Sequence, residues 1–378
     1  MARAAPRSKS PRRPDSEGLP PERGRGRGAQ SNASGRYEAL SRAAVDDGWE
    51  RDEELPAFRT DVTVETPRRI INYVDSPFVG FDRSINPIRG CEHGCVYCFA
   101  RPTHAYYGLS PGIDFETKLF AKPNAAALLR RELSSKNYIV KHIAIGTNTD
   151  PYQPAEKRFQ LMRGILQTLL DFRHPVTVLT KSALIARDID LLQPMAALGI
   201  ARAMLSVTTL DPHLARAMEP RASTPRRRLA AVKMLAEAGV SVGVMTAPMI
   251  PGLNDDELES LLEASRDAGA QFAGFTIVRL PLEVSSLFRE WLEAKFPDRA
   301  GRVMRLIREM NGGRDYDPQW SRSKEPRSVY AKLIRERFEI ATRRLGLDDE
   351  PPKLKVSLFR VPAEKTPQLS LFGESMSD

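Results

Sequence analysis

Cysteine is nearly absent. The 378 residues contain three, and Cys91, Cys95 and Cys98 all fall in the stretch GCEHGCVYCFA. Three thiols leave one unpaired, and the loops they would close are too short to staple a fold, so a disulfide framework is excluded. Long hydrophobic runs are missing too. No segment approaches the roughly 20 apolar residues of a membrane span. The longest runs, such as VSVGVMTAPMI at 240–250, are broken by glycine and proline. The N-terminus has no apolar stretch of the kind that directs export. Clustered free thiols need a reducing compartment, so a cytoplasmic location is expected.

What is present suffices for a folded core. Hydrophobic residues make up 41% of the chain, enough for one large domain or two ordinary ones. The net charge of +9 is unevenly placed: residues 1–36 hold nine Arg and Lys against Asp15, Glu17 and Glu22. Rich in Pro, Gly and Ser and poor in apolar residues, this stretch is expected to be a disordered basic tail. Its RGRGRG run suits a weak contact with a phosphate backbone, the alternative being a solubilising tail. Residues 37–79 read as a leader packing on the main domain, with Ile70, Ile71 and Tyr73 as anchors.

From about residue 80, short β-rich runs alternate with amphipathic helical stretches, the pattern of a parallel sheet built from βα units. The runs are VGFDRSINPI, YIVKHIAIG, PVTVLTK, ARAMLSVTT, VSVGVMTAPMI and FAGFTIVRLP. The helices expected between them include a single one over 155–172 and one opened by Thr224-Pro225. Six units predict an α/β fold, a partial (β/α)6 TIM-like barrel over 80–312, with a doubly wound sheet as the alternative. A basic, aromatic helical extension (313–350) and a tail (351–378) follow. In either architecture the active site lies at the carboxyl ends of the strands, where the cysteine loop directly follows the first strand.

Thiolates at C-x3-C-x2-C spacing suit a soft metal. Structural zinc asks for four ligands, and His93, the one nearby fourth donor, sits too tightly inside the loop to close a tetrahedron easily. An iron–sulfur cluster on three cysteines leaves one iron open to substrate or cofactor. Three incidental thiols are the bland alternative.

CEHGCVYC resembles the C-x3-C-x-aromatic-C signature of the radical-SAM superfamily, with Tyr97 in the aromatic position. The approach INPIRGCEHGCVYCFA looks more narrowly like the group related to spore photoproduct lyase, called DNA repair photolyase-like. The resemblance spans roughly 80–310. It implies a [4Fe-4S] cluster on Cys91, Cys95 and Cys98 whose open iron binds S-adenosylmethionine. One electron, from a flavodoxin- or ferredoxin-type donor, then yields a 5′-deoxyadenosyl radical. It also places Thr147, Asn148, Thr149 and Asp150 near the methionyl amine, Lys181 within reach of the cofactor, and Ser206 and Thr208 near the ribose. APMIPG would pack on adenine, and Arg279 would meet an anionic substrate or the cofactor carboxylate. Arg221, Arg226, Arg227 and Arg228 read as a solvated helix start or a phosphate contact.

Spore photoproduct lyase carries a further cysteine before the second-strand turn as hydrogen donor. Gly146 and Thr147 occupy that region here, which puts that route in doubt. Tyr107 and Tyr152, with Tyr106, are the tyrosines expected to donate instead.

Two C-terminal features bear on partners. Tyr316, Trp320 and Tyr330 are interleaved with Arg322, Lys324, Arg327 and Lys332, a single-strand-binding composition; the alternative is an amphipathic closing helix over 327–345. PQLSLF at 367–372 resembles the peptide that docks on the bacterial sliding clamp through Gln368, Leu369, Leu371 and Phe372, while VSLF at 356–359 reads as a strand added to the barrel. The expected function is a radical-SAM enzyme acting on nucleic acid. Alternatives are modification of a protein or small metabolite, and a non-enzymatic module with a structural cluster.

Overall fold

A computed structural model of the chain describes residues 26–38, 57–75, 80–318 and 328–362. Six β-rich runs form strands: β1 Arg83–Ile85, β2 Ile143–Ile145, β3 Val176–Thr180, β4 Ala201–Ser206, β5 Ser241–Met249 and β6 Phe272–Ile277. Every neighbouring pair among them is parallel, and their order in space is their order in sequence. A doubly wound sheet reverses order at a switch point. This sheet never does, so the partial barrel is the architecture. Ile71–Tyr73, from the leader, adds an antiparallel edge strand to β1.

A helix follows each strand: α1 Ala125–Leu133, α2 Leu161–Asp171, α3 Ile189–Ala197, α4 Pro225–Glu237, α5 Leu258–Asp267 and α6 Glu283–Lys295. The main core lies between sheet and helices, where Ile145, Val178, Ala203, Leu205, Val242 and Val244 meet Leu166, Leu192, Leu235 and Leu262. A second core gathers Val284, Phe288, Trp291 and Leu292 of α6 with Val303 and Ile307 of α7 (Pro297–Met310) beneath Cys95, Val96 and Tyr97. Trp291 is fully buried and its indole N–H donates to Ala217 O at 3.0 Å. The cysteine loop therefore rests on a rigid aromatic floor.

Four expectations are corrected. The helix expected over 155–172 breaks at Gln160, whose φ is 50°. The buried Glu156 carboxylate turns back to accept from Leu161 N (2.9 Å) and Met162 N (3.0 Å), capping α2 from the side. VSLF at 356–359 is a turn, not a strand. Its Phe359 packs on Tyr138, Phe172 and His174 with centroids 5.8, 6.1 and 5.7 Å away. The basic tail does not stay unstructured through residue 36: Arg27, Gly28, Ala29 and Ser31 are buried against the cysteine loop and the segment after it, while residues 1–25 lie outside the described residues. The arginines around the start of α4 do not all face water: Arg228 is buried.

The closing helix α8, Val329–Leu345, is capped by the Ser328 hydroxyl, which accepts from Ala331 N at 3.1 Å. Its inner face buries Ala331, Ile334 and Ala341, and Phe338 tilts over Phe275 at 4.5 Å. Arg337 pairs with Glu259 and Arg344 with Glu263 of α5. Tyr330 Oη donates to Asp255. These contacts favour an amphipathic closing helix over a stacking platform for the described part. Trp320, Arg322, Lys324, Arg327 and the Gln368–Phe372 peptide lie outside the described residues. No described helix is long and apolar enough to cross a membrane.

Candidate active site at the cysteine loop

The loop from Gly90 to Ala100 is shaped by glycine and by one buried arginine. Gly90 and Gly94 have φ of +73° and +67°, the left-handed region. Any side chain on Gly94 would also strike the Glu116 carboxylate, since a Cβ would stand 2.7 Å from Oε2. Cys91 N donates to Phe115 O (2.9 Å) and Val96 N to Met218 O (3.1 Å). Arg101, fully buried, donates to Gly94 O (3.1 Å), Cys95 O (2.9 Å), Pro111 O and Gly112 O, and pairs with Glu116 at 2.6 Å. One guanidinium thus fixes four carbonyls of the loop and its return.

All three cysteines are unbridged; Cys91 and Cys95 are buried and Cys98 is half-buried. Burial pushes all three thiols above their ordinary range, with Asp150 adding to the effect at Cys91 and Glu219 at Cys95, while Arg101 opposes it at Cys98. As free groups they stay protonated, and a cationic centre is what would draw the thiolates out.

The cysteines and the strand ends enclose one cavity of about 240 Å³. It is lined by Cys91, Cys95, Tyr97 and Cys98 from the loop, Thr147, Asn148, Thr149 and Asp150 after β2, Lys181 after β3, Ser206 of β4 and Arg279 after β6. The strand-tip residues come together because all six strands run parallel, so their carboxyl ends open on one side. Asp150 accepts from Thr180 Oγ1 (2.7 Å) and Lys181 N (2.7 Å) and faces His93 Nδ1 at 3.3 Å. Burial alone would raise its pKa, but His93 and these donors hold it at about 2. Lys181 Nζ stands 5.9 Å from the centre of the Tyr97 ring.

Other expected site residues lie elsewhere. Tyr152 is 1% exposed, donates to Asp188 Oδ2 at 3.1 Å and does not line the cavity. Tyr107 is 42% exposed, tilts against Phe120 at 5.4 Å and lies under Arg89. Neither reaches the cavity, so neither is placed to donate hydrogen there. Tyr106 stacks on Tyr37 at 5.4 Å. Thr208 does not line the cavity; its hydroxyl donates to Glu219 at 3.0 Å. Arg228, 1% exposed, is neither solvated nor free for phosphate: it donates to Glu219, to Ser206 O (3.0 Å) and to Ser223 O (2.7 Å). Arg221 donates to Glu92 Oε1 at 2.9 Å.

Glu219 escaped the sequence reading. It also accepts from Tyr97 Oη, so one buried carboxylate joins the aromatic of the cysteine motif to α4 and the tip of β4. Burial would raise its pKa, but Arg228, Lys181 and the Tyr97 hydroxyl hold it below the carboxylate range. Glu219 stands 122 positions from Tyr97, and nothing local marks the pair.

The Radical SAM superfamily model matches residues 85–264, the span from the end of β1 into α5. The chain belongs to the radical SAM superfamily. An uncharacterized protein of Mycobacterium tuberculosis (strain ATCC 25618 / H37Rv) is 37% identical over 292 residues, 76% of this chain and 82% of that one. An uncharacterized protein of Methanocaldococcus jannaschii is 28% identical over 215 residues, 57% of this chain and 76% of that one. Among solved structures, spore photoproduct lyase complexed with dinucleoside spore photoproduct has a similar fold, with TM-score 0.54, 15% identity, and 75% and 79% of the two chains covered. A spore photoproduct lyase mutant with bound AdoMet and the same dinucleoside has TM-score 0.52 at 15% identity over 75% and 78%.

Radical SAM enzymes use a [4Fe-4S] cluster and S-adenosylmethionine, and the residues of this radical SAM chain fit that pair. Among the described residues, no three His, Cys, Asp or Glu side chains converge tightly enough for a single metal ion. Three thiols spread around one cavity suit a cluster in which each thiolate meets a different iron. The remaining lining offers a carboxylate, an ammonium, hydroxyls and an apolar strip of Met245, Ala247 and Pro248, a mixture that suits an amino-acid head and a nucleoside.

Proposed function

We propose that this radical SAM enzyme binds its cluster through Cys91, Cys95 and Cys98 and acts on nucleic acid, in the manner of a DNA repair photolyase-like enzyme. The observation that carries the reading is the single cavity shared by the three thiols and the strand tips. When bound, the cluster and S-adenosylmethionine supply a 5′-deoxyadenosyl radical by one-electron cleavage of the sulfonium. Asp150, held ionised, receives the methionyl ammonium with Asn148 and Thr149 beside it. Lys181 pairs with the carboxylate, and Ser206 bonds the ribose. Tyr97, anchored by Glu219, forms the wall between loop and cofactor, and Arg279 at the exposed rim meets the anionic substrate. The buried floor beneath the loop keeps bulk water from the reacting groups.

The structural likeness to spore photoproduct lyase supports a nucleic-acid substrate by fold analogy. A cysteine donor after β2 is not part of the reading. Gly146 has φ +93°, and a Cβ there would stand 1.9 Å from Leu179 O. With Cys91, Cys95 and Cys98 assigned to the cluster, the chain has no further cysteine to donate hydrogen. A cytoplasmic setting and a flavodoxin- or ferredoxin-type donor complete the proposal. A sliding-clamp contact through Gln368–Phe372 would serve a repair role, and clamp binding by the full chain but not by Leu371→Ala/Phe372→Ala tests it. The second reading, modification of a protein or metabolite, draws support from Arg337 and Arg344 of α8, which pair with Glu259 and Glu263 of α5 rather than standing free for phosphates. The deciding assay is 5′-deoxyadenosine release with and without single- and double-stranded DNA or RNA. Stimulation that fades with added salt supports the first reading, and indifference to every nucleic acid favours the second.

A further inference from the structure

Residues 26–35 form neither helix nor strand, yet Arg27, Gly28 and Ala29 are buried at the cysteine loop. Buried irregular backbone needs partners, and here one group supplies them. The N–H groups of Gly28 and Ala29 donate to the two oxygens of the Glu116 carboxylate at 2.9 and 2.8 Å. Glu116 is fully buried and also accepts from Arg101 at 2.6 Å, the arginine that holds Gly94 O and Cys95 O. Arg27 donates to Glu116 O (2.9 Å), Phe58 O (2.9 Å) and Thr60 Oγ1 (3.0 Å). The Thr60 hydroxyl donates in turn to Glu92 of the cysteine loop at 2.6 Å.

Steric contact points the same way. A Cβ on Gly28 would stand 1.8 Å from Gly94 O and 3.1 Å from Val96 Cγ1. Gly94 and Val96 flank Cys95 on either side, so the segment lies flat against the loop at the middle cysteine. The Gly94–Val96 backbone that carries Cys95 is thus braced by this segment on one side and by Arg101, which holds Gly94 O and Cys95 O.

We propose that residues 27–29 are a strap that retains the iron–sulfur cluster by holding the Cys91–Cys98 loop closed from outside. The proposal rests on the reading of that loop as the cluster site. Arg27, Gly28 and Glu116 are positioning residues that act through the loop, as outer-shell partners do at other metal centres.

The test uses the full chain with Gly28→Ala, reconstituted anaerobically with iron and sulfide beside the parent. Four quantities are read: initial iron and sulfide, the rate of cluster loss to a fixed chelator followed by visible absorbance, hydrogen exchange at the Val96 amide, and the melting temperature of the metal-free protein. The variant is expected to load fully, lose its cluster about tenfold faster or more, exchange Val96 faster, and melt close to the parent when metal-free. An unchanged rate of loss with unchanged Val96 exchange overturns the strap. If Gly28→Ala does not fold, Arg27→Ala is read by the same four measures, and an unchanged loss rate again overturns it. A parent that takes up no iron overturns the cluster reading and the strap together, whereas a loaded parent with an equally durable variant overturns the strap alone.

Discussion

Replacing Arg228 by Met should destabilise the metal-free protein by about 4–6 kcal/mol. Arg228 is 1% exposed and is the cationic partner of the fully buried Glu219 carboxylate. Methionine keeps the apolar stem and removes the charge, leaving Glu219 hydrogen-bonded to the Tyr97 and Thr208 hydroxyls with Lys181 as the remaining nearby cation. Breaking a buried ion pair from one side costs about 3–5 kcal/mol. The carbonyls of Ser206 and Ser223 also lose their guanidinium donor, about 1 kcal/mol more in total if water partly replaces it. Urea unfolding with linear extrapolation reads the change. The deficit should shrink as pH falls and Glu219, no longer held below its normal range, takes a proton. Adding Glu219→Gln to Arg228→Met should recover about 2 kcal/mol, because no uncompensated charge then remains. A single variant within about 1 kcal/mol of the parent, or a double variant as costly as the summed singles, refutes the buried-pair argument.

Lys181→Ala should weaken S-adenosylmethionine binding by about 1.5–3 kcal/mol, roughly 10–150-fold, with iron content intact; equilibrium titration showing no change would remove the lysine from the cofactor site. Phe359→Ala should cost about 2–3 kcal/mol in urea unfolding by stripping a half-buried ring from Tyr138, Phe172 and His174. His174 and His142 are held neutral, chiefly by burial, with pKa values lowered from 6.5 to about 3 and about 4. A histidine whose folded pKa is depressed contributes stability that is complete above its unfolded pKa and lost as pH falls toward the folded value. Stability should therefore drop below about pH 6.5, by about 1.4 kcal/mol per pH unit for the buried His174, and His174→Gln should flatten the profile.

The cysteine motif was legible because its chemistry is local: three thiols within eight positions need no knowledge of the fold. The strand tips were legible one step further on, since the alternation of strands and helices puts Asn148, Asp150, Lys181, Ser206 and Arg279 at carboxyl ends that a parallel sheet must gather. The supports were not legible. Glu116 holds Gly28 across 88 positions, so an arginine–glycine run with the composition of a disordered tail is buried by a partner that composition does not reveal. The arginines around the start of α4 looked alike in sequence, yet Arg228 is buried and Arg221 is exposed because the Glu219 carboxylate lies under one of them. Tyr152 failed as a donor for a related reason. It lies two residues from Asp150, and its backbone N–H donates to that carboxylate, but its side chain turns to Asp188 in the core.

Whether the three thiols hold a working cluster is decided by the stoichiometry and turnover of the full chain reconstituted without oxygen. Iron, sulfide and 5′-deoxyadenosine are measured after addition of S-adenosylmethionine and a strong reductant, beside Cys91→Ala, Cys95→Ala and Cys98→Ala. The expected result is about four iron and four sulfide per chain, formation of 5′-deoxyadenosine with methionine, and loss of both cluster and cleavage in each cysteine variant. A zinc-containing, iron-free protein, or a fully loaded cluster that never cleaves S-adenosylmethionine under reducing conditions, would contradict it.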